Sequence, residues 1–573
     1  MSEDPLSDDA GVAASAAGAL APEGGLMGGL DPINLLSTMA KAAVAAAARP
    51  FDTAAAGMRL GVNLSAAAFK SAALIAGVES NPIVQPDPKD RRFSDPTWTQ
   101  NPLYFWYLQR HHVRQEFVRE LVEIADLDGS DAAKLEFLGE LLISGSAPTN
   151  FLWSNPMALK KAFETGGRSL ARGLRNFIDD ALNNGGWPKQ VDTSPFTVGE
   201  NLAATPGEVV FRNELMELIQ YEPQTDEVHA APILCSPPWI NKYYVMDLAP
   251  DRSFIEWAVQ HGHTVFAISY RNPDASMSET TLEDYLVNGP RIALDVIKDI
   301  TGAPKVNLVA LCLGGTLAMM LMAFLAAIDD DSIGSVTLLN TLVDFGAPGQ
   351  LGAFTDATTI ERLEQRLQKE GVLSADDMRR TFDLLRPDDL VFNYVASNWL
   401  MGQDPPAFDI LAWNEDSTNM PSAMHSFYLR SCYLENRLAS NELRLSGQHL
   451  DLSRIEADTF IVGAVNDHIV PWRTSYRTTQ LLPKADVTYV LSSAGHIAGI
   501  VNPPGPKASY RTASGNPADP EVWLADTTEE ASSWWELWAE WASERGGALT
   551  TPPSMGNERY PPLEPAPGSY VHG

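Results

Sequence analysis

Residues 306–328 read VNLVALCLGGTLAMMLMAFLAAI, a run of 23 residues in which Asn307 and Thr316 are the polar side chains and Cys312 supplies a thiol at the middle. The run is long enough to cross a bilayer. It divides, however, at CLGG into a branched half, VNLVAL, suited to a strand, and a Leu-, Met- and Ala-rich half suited to a helix. A strand that ends in a sharp turn, presents one side chain and passes straight into a helix is a nucleophile elbow. Small residues two before and two after the nucleophile let strand and helix pass closely. Here they are Ala310 and Gly314, so the usual first Gly is replaced by Ala, the mildest possible departure. A helix beginning at the thiol aims free N–H groups and the positive end of its dipole at the sulfur, which favours a charged thiolate. The chemistry expected is attack of Cys312 on an acyl carbonyl. The competing reading is a small core cysteine, because free Cys is among the most buried residue types.

A nucleophile on an α/β-hydrolase-type sheet is followed along the chain by an acid and then a His, each just after a later strand. Five of the 10 histidines follow Cys312: His425, His449, His468, His496 and His572. Of these, His496 sits in a small-residue loop directly after a late strand, VTYVLSSAGH. The strand before it, TFIVGAV, ends in NDH and puts Asp467 in the acid's place. His468 competes for the role of base, but a His adjacent to the acid is poorly placed to span acid and thiol. Acyl transfer also needs an oxyanion hole. One donor is expected from the Leu313 N–H, and the second from the loop in APILCSPPWINKYY. Pro237 and Pro238 have no N–H, so Trp239 or Ile240 is the candidate. Cys235 and Cys432 read as core. A thiolate forms a thioester about isoenergetic with a thioester substrate, which suits loading from a thioester carrier and passage to an alcohol, although hydrolysis is equally open.

The elements that would hold these groups are legible in the same way. Residues 100–185 carry apolar positions at three- and four-residue spacing, and NNGGWPKQVDTSPF breaks the pattern near residue 190. Beyond it, GEVVFRN and MELIQYEP suggest an antiparallel pair. APILCSPP, TVFAISY, VNLVAL, SVTLLNT, DTFIVGAV and VTYVLSS read as strands of a mostly parallel sheet buried on both faces. SFIEWAVQHG and LVNGPRIALDVIKDIT are helical. The residues from about 345 to 450 are too many for a loop, and an inserted cap rich in aromatics is expected there, with Trp399 and Trp413 as candidates for lining an acyl pocket. The expected architecture is therefore α/β: an α/β-hydrolase fold with an inserted cap, over residues 191–573, preceded by a mostly helical domain at 31–190. Residues 1–30 suggest a disordered lead. The Ala-heavy stretch after them suits a surface or interdomain helix, or one that contacts an apolar particle or partner.

The net charge of −32 opposes nucleic acid and anionic membrane surfaces as partners. Three cysteines make a disulfide framework implausible and fit a reducing compartment. The acidic start MSEDPLSDDAG carries no basic region before an apolar stretch, so a cytoplasmic protein without a transmembrane segment is expected.

The runs DRRFSDPTWTQNPLYFWYLQ, SPPWINKYYVMDLAP, HTVFAISYRNPDAS, LNTLVDFGAPG, RPDDLVFNYV, FDILAWNEDSTNMP, NDHIVPW, SAGHIAGIVNPP and WLADTTEEASSWWELWAEW closely resemble polyhydroxyalkanoate synthases, over roughly residues 85–573. The resemblance implies polymerisation of (R)-3-hydroxyacyl-CoA with release of CoA, through a covalent Cys thioester and a Cys–Asp–His triad mapping onto Cys312, Asp467 and His496. It also implies the growing polyester chain and the polymer granule surface as partners and a homodimer; no cofactor or metal is expected. The chain length is similar to the single-subunit forms. The alternatives are a cysteine-type ester or thioester hydrolase of the same fold, and a catalytically dead granule-surface protein.

Overall fold

The computed structural model describes residues 32–88 and 90–573; the expected lead at 1–30 lies outside them. The chain divides into two compact units. The first holds the residues up to Asp192 together with 352–354 and 377–407, and the second holds Thr193–Leu351, Thr355–Asp376 and Phe408–Gly573. The segment 377–407, within the stretch read as a cap, thus clusters with the N-terminal helices.

Six helices dominate the first unit: α1 (Pro32–Ala48), α2 (Pro50–Ile75), α3 (Pro102–Ala125), α4 (Gly129–Gly145), α5 (Pro156–Glu164) and α6 (Arg168–Asn183). The Ala-rich stretch forms two helices, because Pro50 cannot sit inside a helix but fits its first turn. Asn101 and Asn155 cap α3 and α5 with their side chains, each followed by Pro at the first helical position. The segment 377–407 docks tightly: a Cβ built on Gly173 would lie 1.9 Å from the Trp399 carbonyl oxygen. The Trp399 indole donates to Asp180 at 2.7 Å and its ring meets Phe177 edge-on at 5.1 Å. This accounts for a residue read from sequence as a candidate acyl-pocket wall.

The second unit is built on an eleven-stranded sheet. In chain order its strands are β1 (Gly207–Arg212), β2 (Met216–Tyr221), β3 (Ile233–Ser236), β4 (Val265–Tyr270), β5 (Val306–Leu311), β6 (Ile333–Leu339), β7 (Asp458–Ala464), β8 (Val487–Ser492), β9 (Tyr510–Thr512), β10 (Thr528–Glu530) and β11 (Glu564–Pro565). Their order across the sheet is β10-β9-β8-β7-β6-β5-β3-β4-β2-β1-β11. β4, β3, β5, β6, β7 and β8 are parallel, and every other pair is antiparallel, including the expected β1–β2 pair. The six parallel strands are the six apolar runs of the sequence, buried on both faces as helix-covered parallel strands must be. The chain reverses its direction of winding where β4, β3 and β5 meet, and such switch points open a crevice at the carboxyl ends of the strands.

Helices α7 (Phe254–Gln260), α8 (Ile292–Thr301) and α9 (Leu313–Ala327) cover the sheet. The run LVNGPRIALDVIKDIT is not one helix. A π-type turn over Val287–Arg291 precedes α8, with Gly289 out of helical conformation and Pro290 behind it. Among the described residues no helix is long and apolar enough to cross a membrane, and the 23-residue run is a buried strand followed by a buried helix.

Candidate active site

The elbow begins where β5 ends. Cys312 adopts φ +50° and ψ −119°, a conformation that L residues rarely occupy. Its own N–H donates to the Leu339 carbonyl of β6 at 2.9 Å, and its carbonyl accepts from Gly315 and Thr316 as the start of α9. The side chain is partly exposed, whereas Cys235 and Cys432 are buried and their thiols are pushed well up by burial. The core reading therefore fits those two cysteines.

The small residues of the turn are explained by what they touch. A Cβ built on Gly314 would lie 2.2 Å from the Ser236 carbonyl oxygen and 2.4 Å from that of Pro237, and one built on Gly315 would lie 2.0 Å from Thr341 Oγ1. Ala310, fully buried in β5, pairs in register with Ser236 and Leu338, so the methyl that breaks the motif is absorbed by the sheet. Gly314→Ala is expected to lose about 3 kcal/mol of stability or more in urea unfolding, since the obstacle is backbone and cannot rotate away. A loss under about 1 kcal/mol would mean that the loop after β3 moves freely.

Asp467 follows β7 in a tight turn. Its Oδ1 accepts the Ile469 and Val470 N–H groups at 2.9 and 2.8 Å, and its Oδ2 meets His496 Nδ1 at 2.6 Å. His496 follows β8 and opens the short helix α10 (His496–Ile500). Asn340, just past β6, donates its side chain to the His496 carbonyl after β8 and its own N–H to the Val462 carbonyl of β7 at 2.8 Å, which ties three strand ends together. The last helix, α11 (Trp534–Glu544), braces α10 from the other end: the Trp534 and Trp535 indoles donate to the Gly499 and Ile500 carbonyls at 2.7 and 2.9 Å. The tryptophan-rich tail SSWWELWAEW is thus a support for the histidine.

Burial alone would depress the His496 imidazole. The Asp467 carboxylate, the Cys312 sulfur and hydrogen bonds to both outweigh it and raise the pKa to about 10. The side chains of Cys312, Asp467 and His496 therefore come together, with the imidazole between acid and thiol. The ring that Asp467 holds belongs to His496, while its neighbour His468 is partly exposed in the turn.

Leu313 is the first residue of α9, so its N–H has no acceptor inside the helix. Trp239 and Ile240 lie buried in the loop after β3, and the start of that loop presses on Gly314. Two tyrosines that sequence reasoning did not assign, Tyr428 and Tyr433, lie within electrostatic reach of the sulfur. Burial first, then the neighbouring phenol and the thiols of Cys432 and Cys312, push Tyr428 up; burial likewise raises Tyr433, again with a contribution from Cys312. Tyr428 packs edge-on against Trp239 at 5.7 Å, Phe345 at 6.0 Å and Tyr433 at 5.5 Å, which joins the loop after β3 to an aromatic cluster. The aromatic density of HSFYLRSCYL was its only trace in the sequence. Trp413, the other residue read as a candidate pocket wall, uses its indole N–H to hold the Lys242 carbonyl at 2.8 Å. Among the described residues no cluster of three or more His, Cys, Asp or Glu side chains could hold a metal ion. The arrangement is suited to proton removal from a thiol, attack on an acyl carbonyl and transfer of the acyl group.

Residues 89–258 match the family model described as the N-terminus of poly-beta-hydroxybutyrate polymerase, and residues 237–503 match the alpha/beta hydrolase fold. The chain is 39% identical to a poly(3-hydroxyalkanoate) polymerase of Methylorubrum extorquens over 559 residues, covering 97% of this chain and 92% of that one. It is 44% identical over 493 residues to poly(3-hydroxyalkanoate) polymerase 2 of Ectopseudomonas oleovorans, covering 85% and 87%. Among solved structures, a monoacylglycerol lipase of Paleococcus ferrophilus aligns with 58% of this chain and 99% of its own at 13% identity and a TM-score of 0.32.

Proposed function

Because the chain belongs to the poly(3-hydroxyalkanoate) polymerase family and is an acyltransferase-type synthase, we propose that it polymerises (R)-3-hydroxyacyl-CoA through a covalent thioester on Cys312. The observation that carries this reading is the buried His496–Asp467 pair facing a thiol held at φ +50° at a helix start. With its proton already held by His496, whose pKa the neighbouring Asp467 and Cys312 raise to about 10, the Cys312 sulfur attacks the acyl-CoA carbonyl as a thiolate. The charge that develops on oxygen is met by the Leu313 N–H and by one from Trp239 or Ile240. The C–S bond to CoA then breaks, and CoA leaves as a thiol carrying the proton from His496. In the second half His496 removes the proton of a 3-hydroxyl group, whose oxygen attacks a Cys312 thioester. One ester bond forms, one thioester bond breaks and the free Cys312 thiol returns.

Two further proposals rest on the family and on the product. The protein acts in the cytoplasm as a homodimer at the surface of its own polyester. The outward side of α2 supports the granule contact, with Phe51, Met58, Val62 and Phe69 exposed along it.

Purified protein given (R)-3-hydroxybutyryl-CoA is expected to release CoA and to leave polyester recoverable in organic solvent. Stoichiometric free hydroxyacid without polymer would make it a hydrolase instead.

A further inference from the structure

We infer that Thr418 is a positioning residue that sets the oxyanion-binding loop, and that it selects the Ile240 N–H, rather than that of Trp239, as the donor facing Leu313. The inference rests on the acyl-transfer reading above. Residues 239–242 follow two prolines and are held from outside by the segment Trp413–Asn419. Thr418 Oγ1 donates to the Trp239 carbonyl at 2.9 Å, and the Thr418 N–H donates to the Ile240 carbonyl at 3.2 Å. Asn241 and Ser417 form an isolated antiparallel bridge, reinforced by Asn241 Nδ2 to Ser417 Oγ at 3.2 Å. The Trp413 indole holds the Lys242 carbonyl, and the Tyr244 hydroxyl donates to Asp416 at 2.9 Å. The segment is itself fixed past the end of β4, where the Asn419 N–H donates to Asn272 Oδ1 and Asn419 Nδ2 donates to the Pro273 carbonyl, both at 2.9 Å. Thr418 and Trp413 are each 2% exposed, so water does not compete for their bonds.

The selection follows from the planarity of the peptide. In a trans peptide the C=O of one residue and the N–H of the next point in opposite directions. Two consecutive carbonyls of the loop, those of Trp239 and Ile240, are directed at Thr418. The Ile240 N–H, sharing a plane with the Trp239 carbonyl, is therefore directed to the opposite side of the loop. The Trp239 N–H shares its plane with the Pro238 carbonyl, on which Thr418 has no hold. The start of the loop lies against the first turn of α9, as the 2.2 Å approach of the Gly314 Cβ position to the Ser236 oxygen requires. A donor fixed before reaction needs no reorganisation as charge develops on the substrate oxygen.

Thr418→Val keeps the branched shape and the backbone bond to Ile240 but leaves the Trp239 carbonyl without its hydroxyl. The peptide is then free to rock, which misaligns the donor without deleting it. Acylation of Cys312 should be followed in single-turnover experiments with (R)-3-hydroxybutyryl-CoA and with a p-nitrophenyl ester, each rate expressed per alkylatable Cys312. Thr418→Val is expected to slow acylation by both donors about 10- to 100-fold, below the loss seen when a whole donor is removed. KM for the thioester should stay within about twofold, and Thr418→Ser should recover most of the rate. A merely structural role would lower the alkylatable fraction and leave the rate per site unchanged. Should Thr418→Val not fold, Thr418→Ala is judged by the same rate per site. A rate within about threefold of the parent, or no recovery in Thr418→Ser, overturns the inference. If the parent enzyme is acylated by the ester but not by the CoA thioester, the polymerase reading fails and the ester rates decide Thr418. If neither donor acylates it, both fail.

Discussion

Cys312→Ala is expected to abolish CoA release, with a loss of about 10⁴-fold or more, because in the proposed reaction nucleophile, base and acid act as a unit around a Cys312 thioester. The fold should survive. The substitution removes one sulfur from a partly exposed position, and Ala meets the same φ of +50° that Cys already adopts, so unfolding in urea should shift by under about 1 kcal/mol. The controls are the other two cysteines. Cys235 lies in β3 and Cys432 in the π-type turn Leu429–Leu434, both buried with thiols pushed up, and conservative replacement of either should leave the rate within a few-fold. Alkylation gives an independent readout: iodoacetamide should label one thiol per native chain and stop CoA release in proportion, and the Cys312→Ala protein should take up none. Cys312→Ser should fall between, since an alcohol is the weaker nucleophile and its oxyester with the acyl group is no longer matched in energy to the incoming thioester. Undiminished CoA release by Cys312→Ala would remove this residue from the reaction.

Why these residues could be found in the sequence, and others could not, follows from the range of the interactions that place them. The parallel strands are short apolar runs because both faces are covered, and each run carries that signal within itself. Cys312 stands out because an elbow needs a strand, a turn and a helix in succession, and Asp467 and His496 follow because chain order on such a sheet is constrained. Thr418 had no local mark. Its role comes from bonds to Trp239 and Ile240, nearly two hundred positions earlier, and no periodicity reports such a pairing. Trp413 was noticed for its ring, whereas its placed function here is its N–H. The π-type turn at Val287–Arg291 was hidden for a different reason: the apolar spacing on either side of Gly289 continues as if the helix did. The grouping of 377–407 with the N-terminal helices depends on packing such as Gly173 against the Trp399 backbone, visible only once both are folded.

Asp467→Asn is the second large expected effect, and its cause is a tautomer. Oδ1 of Asp467 accepts two backbone N–H groups, from Ile469 and Val470, and neither of those donors can change character. An asparagine at this position must keep its carbonyl oxygen toward them, so its NH₂ group faces His496. The imidazole then has to present a bare Nδ1 and carry its proton on Nε2, where it cannot receive the proton of Cys312. A loss of about 10³- to 10⁴-fold in kcat is expected, with KM for the thioester changed far less. Two pH-dependent readouts separate this from general damage. First, the rate of the variant should climb steadily with pH as hydroxide takes over removal of the thiol proton, whereas the parent enzyme has its own base. Second, the sign of the stability change is defined. Asp467 and Cys312 raise folded His496 to about 10, against roughly 6.5 in an unfolded chain, so the pair stabilises the parent fully below about pH 6.5 and progressively less as pH rises toward 10. The stability gap between parent and Asp467→Asn should therefore be wide near pH 6 and narrow near pH 10 in denaturant titrations. A gap that is constant across that range, together with a rate within tenfold of the parent, would show that Asp467 holds its loop in place and does nothing for the histidine.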